Sequence, residues 1–280
     1  MTAELPASGG AASEVAEPME PSEDLILERQ GEVATLSINR PHTRNALTLS
    51  IWQRLPELLD EVDHDPTIKV VVLRGAGRDA FASGADISEF ERLRFDERDA
   101  LAYDVAVTRA EAAIASMKKP SIAMIYGYCI GGGCEVAAAC DFRFSNERGR
   151  FGVTASKIGL VYGLVPTKRL VDLLGPAPAK RMLFTGEIWN AQQAYERGLV
   201  DEVWFTDELE KRAYDFAAEL CSRAQLSVRA AKAMVRAALD GQTSETEETL
   251  RLQSEGYASA DYREGVRAFL DKRPTQFRFS

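Results

Sequence analysis

The residues best suited to chemistry sit in one short stretch, Gly131-Gly132-Gly133-Cys134-Glu135, between a strand-like run (Ser121 to Tyr128) and a helix-like run (Cys134 to Ala139). Glycines at such a corner let main-chain N–H groups approach a ligand closely, and a helix start adds partial positive charge. The corner therefore suits an anion, or an oxyanion that develops during a reaction. Glu135 falls in the first helical turn, where the dipole favours its ionised form, while burial opposes ionisation. A carboxyl held between those influences can serve as acid or base. The same residues also fit a plainer reading, a tight turn with no ligand and an acidic residue that complements a helix start. A second small-residue corner, Phe81-Ala82-Ser83-Gly84-Ala85-Asp86, follows the strand-like run that ends near Arg74. Asp86 with Glu89 three residues on reads as a capping box, a structural rather than a catalytic pattern. Two main-chain corners offered by one sheet can face one carbonyl oxygen.

Several other chemistries are excluded by what is missing. No Lys-Ser or Lys-Thr follows the glycines, as a phosphate loop requires, and the G-x-G-x-x-G pattern of dinucleotide binders is absent. There is no G-x-S-x-G, and the only histidines, His42 and His64, leave a serine nucleophile without an obvious base. Cys129, Cys134, Cys140 and Cys221 form no CxxC pair, so neither a zinc site nor a redox motif is indicated, and no metal is expected.

The elements that must position these corners follow from the patterning. With 280 residues, 45% apolar and 28% charged, the chain has enough core formers to fold without disulfides or metal. Residues 1–24 carry six of the 43 acidic residues and no Lys or Arg, with much Ala, Pro, Ser and Gly, and read as a disordered acidic tail. The remaining body is nearly neutral, which gives no electrostatic reason to bind nucleic acid. No run approaches the ~20 apolar residues of a membrane span, and no targeting segment is recognisable, so a cytoplasmic location is expected. Leu25 to Glu28 and Val33 to Asn39 read as a hairpin, Thr48 as the N-cap of a helix, and Val70 to Leu73 as a strand buried on both faces. Alternating strands and helices over residues 25–206 indicate an α/β domain, and residues 207–280 read as a separate helical region.

These stretches together resemble the crotonase superfamily, the enoyl-CoA hydratase/isomerase family, from about Arg29 to Phe277. The matching segments are Asn39-Arg40-Pro41 with Asn45-Ala46-Leu47, Phe81 to Ile87, Lys119-Pro120 through Gly131-Gly132-Gly133-Cys134-Glu135 to Cys140-Asp141, Phe151-Gly152, Gly198-Leu199-Val200, and Glu264-Gly265 through Phe269 to Arg273. The resemblance implies an α/β spiral of ββα units with a C-terminal helical trimerisation region, assembled as a homotrimer or a dimer of trimers. It implies that the amides of Ala85 and Gly132 form an oxyanion hole for the thioester oxygen of an acyl-CoA. Arg44 and the stretch containing Ser83, Asp86 and Ile87 match positions that contact coenzyme A. Phe269 and Lys272 match residues that reach a neighbouring subunit's coenzyme A. No cofactor is implied beyond the coenzyme A that arrives as part of the substrate.

One departure bears on the reaction. Hydratases of this family use two glutamates to hold and activate a water. Glu135 matches the first, but Ala155 stands where the second is expected, and a methyl group transfers no proton. Tyr162 together with Thr154 resembles the arrangement in methylmalonyl-CoA decarboxylases of the same superfamily, although those carry histidine at the position of Ala85. The expected activity is hydratase-type or isomerase-type chemistry through a thioester enolate. Decarboxylation and non-catalytic acyl-CoA binding remain as alternatives. The segment Phe90 to Phe95 is expected to form a wall of the acyl pocket.

Overall fold

The computed structural model describes residues 24–94 and 96–278. The expectation of a disordered tail therefore lies outside the described residues up to residue 23. Asp24 belongs to the fold, since its carbonyl accepts the Asn39 amide at 2.7 Å and its carboxylate pairs with Arg40.

The chain builds two sheets in parallel, one strand each per turn of a spiral. An antiparallel hairpin, β1 (Leu25–Gln30) and β2 (Val33–Ile38), opens the larger sheet and leads to α1 (Leu49–His64). The first turn then supplies β3 (Val70–Gly75), β4 (Ala80–Ala82), a short α2 (Phe90–Leu93) and α3 (Glu97–Ser116). The next supplies β5 (Ser121–Ile125), β6 (Tyr128–Ile130) and α4 (Gly132–Ala139). The third supplies β7 (Phe142–Asn146), β8 (Arg150–Gly152) and α5 (Leu164–Leu174), followed by α6 (Pro176–Thr185), β9 (Trp189–Asn190), α7 (Ala191–Glu196) and β10 (Glu202–Trp204). Helices α8 (Leu209–Cys221), α9 (Gln225–Leu239), α10 (Glu247–Ala258) and α11 (Ala260–Leu270) complete the chain. The larger sheet runs β1-β2-β3-β5-β7-β10 and the smaller β4-β6-β8-β9. Among the described residues, the β1–β2 and β8–β9 strand pairs are antiparallel and the other strand pairs parallel.

Strand β3 shows why its sequence is uninterruptedly apolar. Val71 and Leu73 face the core between the sheets, whereas Val70 and Val72 face a second cluster against α8. Both faces being covered, alternation with polar residues has no place. The second cover is Leu209, Ala213, Ala217 and Cys221 of α8. This first helix beyond residue 207 thus packs on the sheet, whereas α10 packs on α9 and α11.

Ser121 to Tyr128 reads as one strand, yet the chain breaks it after Ile125. Gly127 takes φ +58°, and a Cβ there would fall 1.9 Å from the Asp79 carbonyl oxygen. Only glycine permits that turn, which throws the chain from the larger sheet into the smaller one. Thr48 caps α1 as expected, its hydroxyl accepting the Ile51 amide. Among the described residues, no helix is long and apolar enough to cross a membrane.

Candidate active site

Strands β4, β6 and β8 are parallel neighbours, so their C-terminal ends leave the smaller sheet at the same edge. Three exits therefore meet there: residues 83–86 after β4, 131–135 after β6 and 153–155 after β8. Open α/β sheets place ligands outside the carboxyl ends of their strands for this reason. The exits border a cavity of about 190 Å³. Ser83, Ala85, Ile87 and Gly132 line it, and so do Glu135, Thr154, Ala155 and Tyr162. Phe90 and Arg94 contribute a wall, as expected for that segment, while Phe95 lies outside the described residues.

The first two corners are in contact. A Cβ on Gly131 would lie 3.8 Å from Cα of Gly84, and one on Gly84 would lie 3.9 Å from the Gly132 nitrogen. Both glycines hold positive φ, +107° at Gly84 and +51° at Gly131. Hydrogen bonds fix each corner on both sides: the Ser83 amide donates to Arg44, the Asp86 amide to Leu47 and the Gly131 amide to Gly152, at 2.8–3.0 Å. Leu47 in turn donates to the Gly84 carbonyl, completing a parallel bridge to Ala85. Among the described residues, the amides of Ala85 and Gly132 are left without an acceptor. Gly132 begins α4, where the first N–H groups have no intrahelical partner. Its α-carbon is pressed against Trp52, which a Cβ would meet at 2.9 Å.

Glu135 projects from the first turn of α4 into this cavity. Burial pushes its carboxyl up to about 8, and the nearby carboxyl of Glu111 adds to the effect. Of the two opposed influences on this residue, desolvation wins. A helix terminus contributes about 0.3–1 kcal/mol, up to ~2 in favourable geometry, whereas burial shifts a carboxyl by several pKa units. The Tyr162 hydroxyl lies near enough to favour the Glu135 anion, yet it is buried without a hydrogen-bond partner. Burial, and next the Glu135 charge, hold the phenol well above its ordinary range. The Ala155 side chain, a methyl group, occupies the β8 exit and is almost fully buried.

Glu111 was not among the residues expected from sequence. It lies on α3, fully buried, and lines the cavity with Glu135. Arg169 of α5 donates Nη1 to its Oε2, while Oε1 has no hydrogen-bond partner. Burial raises the Glu111 carboxyl, and the Arg169 guanidinium acts in the opposite direction. Helix α4 packs on both α3 and α5, which brings these groups around Glu135. A signal did exist. Tyr103, Val107, Ala110 and Ile114 form the inward stripe of α3, and Glu111 falls on it, four residues after Val107 and three before Ile114.

Other expected site residues stand apart from the cavity. Arg44 lies at its flank, its carbonyl holding Ser83 and its guanidinium 4.9 Å from the centre of the Tyr128 ring. The Asp86 carboxylate is taken by Arg40 at 2.8 Å and by the hydroxyl and amide of Ser88. These bonds, the Ser88 hydroxyl foremost, hold its carboxyl below the ordinary range. The capping box with Glu89 does not form. Asp86 caps a short 3-10 turn through Ser88, and Glu89 instead accepts the Leu49 amide at the start of α1. Phe269 and Lys272 lie at the end of α11, away from this cavity. Phe269 is 84% exposed and borders an apolar groove with Leu226, Tyr257 and Val266.

Comparison with known proteins gives the family of the chain. Residues 28–279 match the model of the family described as enoyl-CoA hydratase/isomerase. The crotonyl-CoA hydratase of Syntrophomonas wolfei is 33% identical over 259 residues, covering 91% of this chain and 98% of the relative. The 2,3-dehydroadipyl-CoA hydratase of Escherichia coli is 34% identical with the same coverage of both chains. The crystal structure of an enoyl-CoA hydratase/carnithine racemase from Magnetospirillum magneticum superposes with a TM-score of 0.88 at 37% identity, covering 92% of this chain and 96% of that one. The parallel exits, the touching glycine corners and the buried Glu135 carboxyl that shares their cavity are thus found in a chain that belongs to the enoyl-CoA hydratase/isomerase family, the crotonase superfamily.

Proposed function

We propose that this enzyme hydrates an enoyl-CoA, or moves its double bond, through a thioester enolate held by the amides of Ala85 and Gly132. The observation that carries the reading is that two main-chain donors without acceptors open on a cavity containing Glu135. Donors already in place when charge develops on the thioester oxygen stabilise the transition state most, and one such donor is worth about 3–4 kcal/mol. Glu135 moves the proton at C2. With its carboxyl near 8, it is largely protonated at neutral pH, as an acid must be, yet ionises readily enough to act as a base.

Coenzyme A comes with the substrate, and this route needs no further cofactor. Arg44, Ser83 and Ile87 hold it at the cavity's flank, and Asp86, whose carboxylate and amide are both engaged within the protein, fixes the corner that carries them. The apolar groove beside Phe269 supports a trimer or dimer of trimers, in which Phe269 and Lys272 meet a neighbour's coenzyme A. Four buried, unpaired cysteines fit a reducing compartment such as the cytoplasm.

Thr154 and Tyr162 both border the cavity, which keeps decarboxylation as a second reading. The charges favour the first. A substrate carboxylate would enter a site buried enough to push the Glu135 carboxyl up to about 8, and it would meet the same desolvation cost. Mass spectrometry with crotonyl-CoA, a 3-enoyl-CoA and methylmalonyl-CoA in parallel tests this. The expected products are the water adduct or the shifted alkene. Loss of carbon dioxide from methylmalonyl-CoA as the only reaction would overturn the reading, and saturable binding without product would mark a non-catalytic scaffold.

A further inference from the structure

Hydration needs a base for the water as well as an acid for C2, and the Ala155 methyl at the β8 exit supplies neither. Glu111 is 0% exposed, borders the cavity that holds Glu135, and leaves Oε1 without a partner. That arrangement is uncommon, because a buried acceptor left unpaired costs free energy. Arginine–carboxylate pairs are frequently two-pronged, yet Arg169 takes only Oε2 and leaves the other oxygen available. We propose that Glu111, reaching the cavity from α3, is the carboxylate that binds and deprotonates the attacking water. The inference rests on the enolate reading above.

The step balances with these two carboxyls alone. Water bound to Glu111 Oε1 gives that oxygen a proton while its own oxygen forms the bond to C3. The C2–C3 π electrons move onto the thioester oxygen, giving the enolate. Collapse of the enolate then takes the Glu135 proton onto C2. One water has been added, and a proton passing from Glu111 to Glu135 restores both groups. Their surroundings divide the roles: Arg169 favours an anion at Glu111, while Glu135 has no bonded cation and is the member kept protonated. The two carboxyls come from α3 and α4, so the water would meet the alkene from a different wall than the β8 exit.

Two reactions of one protein separate this inference from the reading beneath it. Hydration of crotonyl-CoA needs both carboxyls, whereas exchange of the C2 hydrogens of butyryl-CoA in D2O needs only Glu135 and the two amides. Glu111→Gln is expected to lower hydration by about 100-fold or more, within the usual range for a general base, and to lower exchange far less. Glu135→Gln is expected to abolish both. Placing a carboxyl at the β8 exit, by adding Ala155→Glu to Glu111→Gln, is expected to recover hydration by about tenfold or more, a larger factor than Ala155→Glu alone gives in the wild type, since only a protein that has lost its base depends on the new one. Unchanged hydration in Glu111→Gln overturns the inference. So does an equal fall in both reactions with no recovery in the double variant. A wild-type protein that exchanges but does not hydrate overturns this inference alone, and one that does neither removes the enolate reading with it.

Discussion

The carboxyl of Glu135 should make the fold weaker as pH rises, and the size of that effect follows from its burial. Its carboxyl lies at about 8 against an ordinary value of 4.5, so the ionised form costs the fold about 5 kcal/mol as an upper figure. The sign is that of an acid raised by folding. The stabilisation is fully present below about 4.5, declines as pH rises, and is gone above about 8. Glu135→Gln removes the titration while keeping the shape of the side chain. At pH 5 the variant and the wild type should therefore unfold at similar urea concentrations. At pH 8.5 the variant should be more stable by several kcal/mol, while its enolate chemistry falls by about 10²–10⁴ at either pH. Urea midpoints at both pH values and a fixed protein concentration measure the first effect, and C2 hydrogen exchange measures the second. A difference between variant and wild type that does not grow from pH 5 to 8.5 would refute the argument that desolvation dominates at Glu135.

Three further perturbations test neighbouring parts of the site. Gly132→Ala places a methyl 2.9 Å from the Trp52 ring, displaces the amide and should lower kcat by about 10²–10³, read in the crotonyl-CoA assay. Tyr162→Phe removes a hydroxyl that favours the Glu135 anion, so the pH of half-maximal C2 exchange should move above about 8; an unchanged midpoint would separate the two residues. Arg169→Met leaves the buried Glu111 carboxylate without its cation and should cost about 3–5 kcal/mol at neutral pH. Its urea midpoint should recover in the double variant with Glu111→Gln, which carries no buried charge.

Much of the larger sheet was legible because burial leaves a plain mark on strands. Val70 to Leu73 is apolar without interruption, and the structure covers it on both faces. The hairpin and the Thr48 cap were legible for a similar local reason, being determined by residues next to one another. The break between β5 and β6 was not. Ser121 to Tyr128 has one strand-like pattern, and the turn at Gly127 depends on the close approach of Asp79, which is distant in sequence. The partners of Asp86 and Glu89 were misread because their spacing fits a capping box. Arg40 and Leu49, brought in from other turns of the spiral, compete for those carboxylates and prevail.

The sequence by itself determined that glycine corners stand after two strands, that Glu135 opens a helix beside one of them, and that a methyl group occupies position 155. Residue types and near neighbours suffice for such statements, since backbone freedom and helix-start position are local properties. Only the tertiary structure decided that the two corners touch, that their amides lack acceptors, and that Glu111 shares a cavity with Glu135. Those facts depend on parallel strands ending at one edge and on α3, α4 and α5 packing together. The charge state of Glu135 belongs with them, because the protein that surrounds it, and not its place on the helix, sets the cost of ionising it.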